Sequence, residues 1–304
     1  MKSKFSQRHP LLFGLLLIAT AVVLTFGAMA FFVAMRSQGI SWFTSKLGVV
    51  NIHGAITESR RVTDFIQRLQ RDEAVEGVLV RIDSPGGVVA PSQEIHAALR
   101  VLAKHKPVVV SMGSVAASGG YYIACAADRI VANPGSITGS IGVKAQMLSF
   151  QKLLQRMGIQ DQTVTSGKLK DAGSPTHPLT PEERTYFQEL VQNLHQQFVL
   201  AVAQGRNMPV QKVQDLADGR AYSGQQARNL GLIDSLGGRA VAMDMLEDMV
   251  GISGRTSLIE GPEEPTSFLK WILGKAAVLV ETNHYVPGMT PFSYIYTPAM
   301  SPLP

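Results

Sequence analysis

Only one cysteine, Cys125, occurs among the 304 residues. No internal disulfide can therefore staple the chain, and a lone thiol is not a metal site. Its setting, YYIACAA, reads as a small buried apolar residue rather than a catalytic thiol. Between Leu11 and Met35 there is no charged side chain, and the residues flanking that stretch (Lys2, Lys4, Arg8 and Arg36) are basic with no Asp or Glu among them. Without these four, 24 basic residues stand against 23 acidic ones, so the formal net charge of +5 falls to +1. The surplus reports a membrane flank and not a nucleic-acid surface; no basic patch interleaved with aromatics occurs elsewhere. No internal repeat at solenoid periods is present. A composition of 45% hydrophobic and 17% charged residues excludes disordered and fibrous chains.

What is there begins with the uncharged stretch itself. Twenty-five helical residues, 11–35, would extend roughly 37 Å, more than the ~30 Å hydrocarbon core. A helix satisfies its own backbone, as lipid demands. Three basic residues before it and two after (Arg36, Lys46) favour a cytoplasmic N-terminus, residues 1–10, with the remainder on the far side of the membrane. A cleaved signal peptide is the alternative, because Ala28-Met29-Ala30 fits the small-x-small pattern. Against it, Phe31-Phe32-Val33 continues the apolar run, and the run exceeds the usual h-region.

After a polar linker, 36–46, apolar runs alternate with amphipathic stretches. Leu47–Ile56, Gly77–Ile82, Pro107–Met112 and the segment from Arg129 to Ala132 read as strands. Val62, Phe65, Ile66 and Leu69, and then Ile95, Leu99 and Leu102, recur at helical spacing. The pattern implies an α/β domain over 47–253 whose parallel strands are covered on both faces. A long helix is expected from Pro181 to Gly205, capped by Thr180 with acids in its first turn. Gly224–Leu236 reads as a short helix, a glycine stop and a strand. The tail, 254–304, changes character. Its apolar stretch Phe268–Val280 is too short to span a bilayer and reads as an interfacial helix or as a helix capping the domain, followed by disorder.

Two glycine-rich turns could carry chemistry. Asp83-Ser84-Pro85-Gly86-Gly87 follows a strand, and its glycines allow a main-chain N–H to be aimed at an open site. Ala116-Ala117-Ser118-Gly119-Gly120 lies between a strand and a helical stretch. A serine there can expose Oγ while free N–H groups wait beside it, the geometry of a nucleophile next to an oxyanion hole. It is not the G-x-S-x-G elbow, because position 116 is Ala. An ordinary turn and an N-cap serine are the bland readings. None of the seven histidines occupies a setting that singles it out as a partner. A lysine can serve instead where burial keeps it neutral. Lys144, Lys152, Lys168 and Lys170 follow the serine, and the residues alone do not select among them.

An ordered set of segments carries a family resemblance. Ser84-Pro85-Gly86-Gly87, Ala117-Ser118-Gly119-Gly120-Tyr121-Tyr122, Thr138-Gly139-Ser140-Ile141-Gly142-Val143, Gly167-Lys168-Leu169-Lys170-Asp171, Ala221-Tyr222-Ser223-Gly224 and Gly231-Leu232-Ile233-Asp234 together resemble the signal peptide peptidase A family in its short, single-copy form. The resemblance runs from about Leu47 to Val250. It implies a Clp protease/crotonase-like spiral of ββα units behind the N-terminal transmembrane helix, and a serine endopeptidase using a Ser–Lys dyad. Ser118 would be the nucleophile and Lys170 the general base, with Lys168 its less favoured neighbour. Ser140 would orient the lysine, and Gly87 and Gly119 would supply the oxyanion donors. It further implies an obligate homo-oligomer, an octameric ring in expectation, whose serine and lysine meet across subunits. Substrates would be remnant signal peptides at the inner membrane, and no metal or cofactor is implied.

Three other readings compete. One is a related protease cutting a specific membrane protein. Another is a catalytically silent assembly module, which would need neither Ser118 nor Lys170. The last is an acyl-CoA enzyme of the wider fold group, for which the chain carries no specific feature.

Overall fold

A computed structural model of the chain describes residues 10–37, 45–252, 256–262 and 292–296. Two units result, Met1–Thr44 and Ser45–Pro304. In the first, Pro10–Ser37 forms one helix, α1. Leu17, Ile18, Val22, Val23, Leu24, Phe26 and Met29 are all exposed on it. At 100° per residue these positions point to every side of the helix, so no stripe is set aside for packing. Over the described residues no helix is long and apolar enough to cross a membrane. The side chains of α1 are described at Gly14 and from Leu17 to Ala30, a stretch shorter than the ~20 residues a crossing takes.

The second unit opens with β1 (Lys46–His53), α2 (Arg60–Arg71), β2 (Val75–Ser84), β3 (Gly86–Val88), α3 (Val89–Leu102), β4 (Val108–Ala117) and α4 (Gly119–Ala124). Then come β5 (Arg129–Ala132), β6 (Ile137–Gly139), β7 (Lys144–Ala145), α5 (Gln151–Arg156) and α6 (Pro181–Gly205). The chain continues through α7 (Val210–Leu216), β8 (Ala221–Ser223), α8 (Gly224–Leu230), β9 (Ser235–Leu236), α9 (Arg239–Val250), β10 (Ser257–Gly261) and β11 (Phe292–Ile295).

Among the described residues the main sheet has eight strands. β10, β1, β2, β4, β5 and β9 follow one another in parallel, and β6 joins β4 in parallel and β8 antiparallel. Its strands are apolar on both faces because both are covered. Leu47, Val49, Leu79, Val109 and Val131 pack with Ala242 and Leu246 of α9. The alternate residues Val50, Val78, Val80, Val108 and Val110 join the larger core that includes Ile66, Leu99, Tyr121 and Phe198.

β4 runs past the expected end at Met112 through Gly113 and Ser114 to Ala117. A Cβ on Gly113 would lie 2.5 Å from the Asp83 carboxyl carbon, and Asp83 Oδ1 accepts from Val115 N–H at 3.1 Å. This glycine is a place where β2 comes close, not a strand end. α6 begins as expected: Thr180 accepts from Glu183 N–H, and Glu183 accepts from Thr180 N–H in return. Gly231 ends α8 in the left-handed region at φ 82°.

Two pieces of the tail belong to this unit: β10 pairs with β1, and β11 lies antiparallel between β3 and β7 in a second, three-stranded sheet. The expected helix over Phe268–Val280 lies outside the described residues.

Candidate active site

Strand β4 ends one residue before Ser118, and α4 starts one residue after it. Ser118 holds φ 54° and ψ −115°, a conformation that L-residues rarely adopt. It is held there from both sides, since its N–H donates to Gly139 O at 2.8 Å and its carbonyl accepts from Tyr122 N–H at 2.8 Å. β6 lies parallel to β4 with Ala117 opposite Gly139. The next residues along these strands are Ser118 and Ser140, so the structure brings these two expected site residues side by side. Ser140 also has positive φ, 48°, and its N–H donates to Arg220 O at 2.9 Å. Such strain persists only where the surroundings over-determine it, and it clusters at functional sites.

The two expected oxyanion donors also meet. An ideal Cβ on Gly119 would lie 3.2 Å from both Gly86 Cα and Gly87 N, and 2.7 Å from Ser92 Oγ. One on Gly87 would lie 2.0 Å from Ile56 O. Close backbone approach therefore requires glycine at Gly87, while at Gly119 the nearest obstacle is the Ser92 hydroxyl. The Gly86 turn, at φ 97°, is tied by Ile56 N–H to Gly86 O and by Val88 N–H to Ile56 O, at 2.9 and 2.7 Å.

Lys170 is placed differently. It lies in the segment between α5 and α6 with its side chain exposed, as is Lys168. Among the described residues no hydrogen bond joins Ser118, Ser140 and Lys170 to one another. The Lys170 loop is pinned by Lys170 N–H to Gly167 O (3.1 Å), Ser174 N–H to Asp171 O (3.0 Å) and Phe150 N–H to Pro175 O (2.7 Å). His177 Nε2 lies 3.2 Å from Asp171 Oδ2. The bond from its other ring nitrogen to the Pro178 carbonyl raises the His177 pKa, and Asp171 adds to this against the opposing effect of desolvation. From just before α5 into this segment, Leu148, Phe150, Leu153, Met157, Ile159 and Val164 are exposed, the last at 96%.

Tyr294 was not legible as a site residue. Its strand β11 lies over the Gly86 turn, with Tyr294 opposite Gly87 and Ser293 opposite Lys144. Tyr296 N–H donates to Pro85 O at 2.7 Å. In an antiparallel ladder the next hydrogen-bonded pair is two residues on, so the Gly87 N–H faces the Tyr294 carbonyl. That carbonyl oxygen and the Gly119 nitrogen both crowd the same point, 2.1 and 2.6 Å from an ideal Cβ on Gly86. The Tyr294 ring is fully buried, 5.3 Å from Tyr122 and 4.8 Å from Phe198 between centroids, and its hydroxyl donates to Leu194 O at 3.0 Å. Burial pushes its phenol pKa up. The signal that could have found the strand is the run Phe292-Ser293-Tyr294-Ile295-Tyr296, rich in β-forming residues. Cys125 is fully buried, which pushes its thiol up to about 12, so it stays an inert thiol.

Comparison with known proteins matches this arrangement to a family. The profile of peptidase family S49 fits residues 100–253, half of the chain, and that of Clp protease fits residues 45–136. A Synechocystis protein provisionally named a protease is 38% identical over 230 residues, covering 75% of this chain and 83% of its own. A provisionally named signal peptide peptidase SppA of Enterococcus faecium is 40% identical over 214 residues (70% and 62%). The chloroplastic serine protease SPPA of Arabidopsis thaliana is 33% identical over 245 residues, which cover 80% of this chain and 36% of that longer protein. The chain therefore belongs to peptidase family S49, as a serine peptidase with a Clp protease-like α/β fold and a mixed sheet.

Proposed function

We propose that this peptidase is a membrane-anchored endopeptidase that works with a Ser118–Lys170 dyad on apolar, extended peptides, remnant signal peptides among them. The observation that carries the reading is the strained Ser118, set beside Ser140, which also has a positive φ, and against the Gly87 and Gly119 main chain. Ser118 Oγ attacks the peptide carbonyl, Lys170 as the neutral amine takes its proton, Ser140 orients that lysine, and the Gly87 and Gly119 N–H groups hold the oxyanion. Within one chain Lys170 is exposed, on a segment whose large apolar side chains face water. A neighbouring copy that covers this segment would bury it and deliver a lysine to a serine, which supports a ring assembly, octameric by family resemblance.

The anchor reading rests on the uncharged run 11–35 and its basic flanks. The flanking basic residues favour a catalytic unit on the extracytoplasmic side of the inner membrane. The test is complementation with purified full-length chains. Ser118→Ala and Lys170→Ala should each lose peptide hydrolysis, and subunits mixed by dissociation and reassembly should recover part of it. Full activity of Lys170→Ala alone would refute the base assignment.

A further inference from the structure

We propose that His177 is a positioning residue for the general base: as an imidazolium it clamps Asp171, the residue after Lys170, and so fixes the turn that presents the lysine. The proposal rests on the reading of Lys170 as base and adds a residue that acts through it.

Hydrogen-bond chemistry carries the argument. His177 Nδ1 lies 2.9 Å from Pro178 O, and Nε2 lies 3.2 Å from Asp171 Oδ2. A carbonyl oxygen only accepts, and so does an ionised carboxylate. Both ring nitrogens must therefore donate, which neither neutral tautomer can do. A carboxyl ordinarily ionises well below an imidazole, so the shared proton belongs to the ring. Nε2 also lies 3.9 Å from Glu183 Oε1. Glu183 is buried, and its other carboxylate oxygen accepts from Thr180 N–H in the capping box of α6. One charged ring thus ties the lysine's turn to a helix end that is already fixed.

Three carboxylates surround this ring. Asp171 and Asp161 come from the segment between α5 and α6, and Asp161 is itself held by the Thr176 hydroxyl. Glu183 comes from α6. Across the cleft α5 contributes Gln151, Leu154 and Gln155, which carry no charge. The bond to the Pro178 carbonyl, with Asp171 and Glu183 adding, raises the His177 pKa above 6.5 against the opposing effect of desolvation. Loss of the second ring proton at higher pH leaves two lone pairs facing each other across 3.2 Å and releases Asp171. The two titrations therefore oppose each other. The lysine must lose a proton to act as base, and the histidine must keep one to hold it in place.

The test uses the full chain and two measurements. The first is exchange of the histidine C2 hydrogen for deuterium against pH, read by peptide mass spectrometry on the Ser118→Ala chain. The His177 midpoint should lie above 6.5 and fall when Asp171→Asn is added. A midpoint that Asp171→Asn does not move would overturn the proposal and leave the peptidase reading intact. The second is peptide hydrolysis against pH by the unchanged chain, His177→Gln and His177→Arg. The ratio of kcat for the unchanged chain to that for His177→Gln should be about threefold or more below the His177 midpoint and approach one above it, with KM unchanged. His177→Arg keeps its charge throughout this range and should recover activity on both sides of the midpoint. A ratio that is the same at every pH, or an effect on KM alone, would make His177 merely structural and overturn the proposal. A His177 midpoint that depends on Asp171, together with full activity of Lys170→Ala, would keep the ion pair but sink the base reading and the positioning role with it.

Discussion

Ser118 and Ser140 each follow one member of a matched pair, Ala117 and Gly139, on two parallel strands, and both are held in the left-handed region. Two adjacent non-glycine residues in that state are costly, by about 1–3 kcal/mol each. The fold retains them because Ser118 N–H donates to Gly139 O, Tyr122 N–H donates to Ser118 O and Ser140 N–H donates to Arg220 O.

Stability and activity should therefore part company at Ser118. Glycine adopts φ 54° freely, so Ser118→Gly should stabilise the chain by roughly 1 kcal/mol or more while abolishing hydrolysis. Ser118→Ala should abolish hydrolysis without that gain. Paired thermal melts of the two variants check this, and equal midpoints would argue against strain at the site.

Close approach makes a graded prediction at the two oxyanion glycines. Gly87→Ala puts a methyl 2.0 Å from Ile56 O, a backbone atom that cannot turn away, so folding and activity should fall together. The nearest obstacle to Gly119→Ala is the Ser92 hydroxyl at 2.7 Å. Adding Ser92→Ala should recover part of the lost stability, and a double-mutant cycle measures it.

Acid stability should depend on His96. Its ring stands edge-on to Tyr122, and its Nε2 is buried without a partner. Burial, with Arg100 adding, lowers its pKa from 6.5 to about 4. Below pH 6.5 the unfolded chain takes up a proton that the folded one refuses. Stability should thus drop as pH falls from 6.5 towards 4 and level off below, by up to ~3 kcal/mol. Urea titrations across that window should show His96→Gln losing this slope. An unchanged slope in the variant would assign it to other groups.

Arg206 and Asp234 form a bidentate pair, both contacts at 2.9 Å, between α6 and the segment after α8. Burial pushes the Asp234 carboxyl up, and the Arg206 guanidinium more than offsets this, holding it below the usual carboxylate range. Arg206→Ala leaves an uncompensated carboxylate and should cost ~3–5 kcal/mol in denaturant unfolding.

Much of this arrangement can be read from residue patterns. Near-continuous apolar runs such as Gly77–Ile82 became core strands because both faces are covered, and Thr180-Pro181-Glu182-Glu183 marked the start of α6 through local hydrogen bonding alone. Gly113 looked like a strand end because its close neighbour, Asp83, is 30 residues away in sequence and invisible to local periodicity. The approach of Gly87 to Gly119 has the same origin, being set by two strands meeting. β11 escaped notice because its partners lie some 150 and 200 residues earlier, and a four-residue strand carries too few residues to declare a period.

The most direct test of the serine mechanism is labelling with a fluorophosphonate, read by peptide mass spectrometry on the full chain carrying Tyr294→Ala. The adduct is expected on Ser118, at a rate that falls at least tenfold in Lys170→Ala. An adduct on another residue, or a rate untouched by removing Lys170, would contradict a Ser118–Lys170 peptidase.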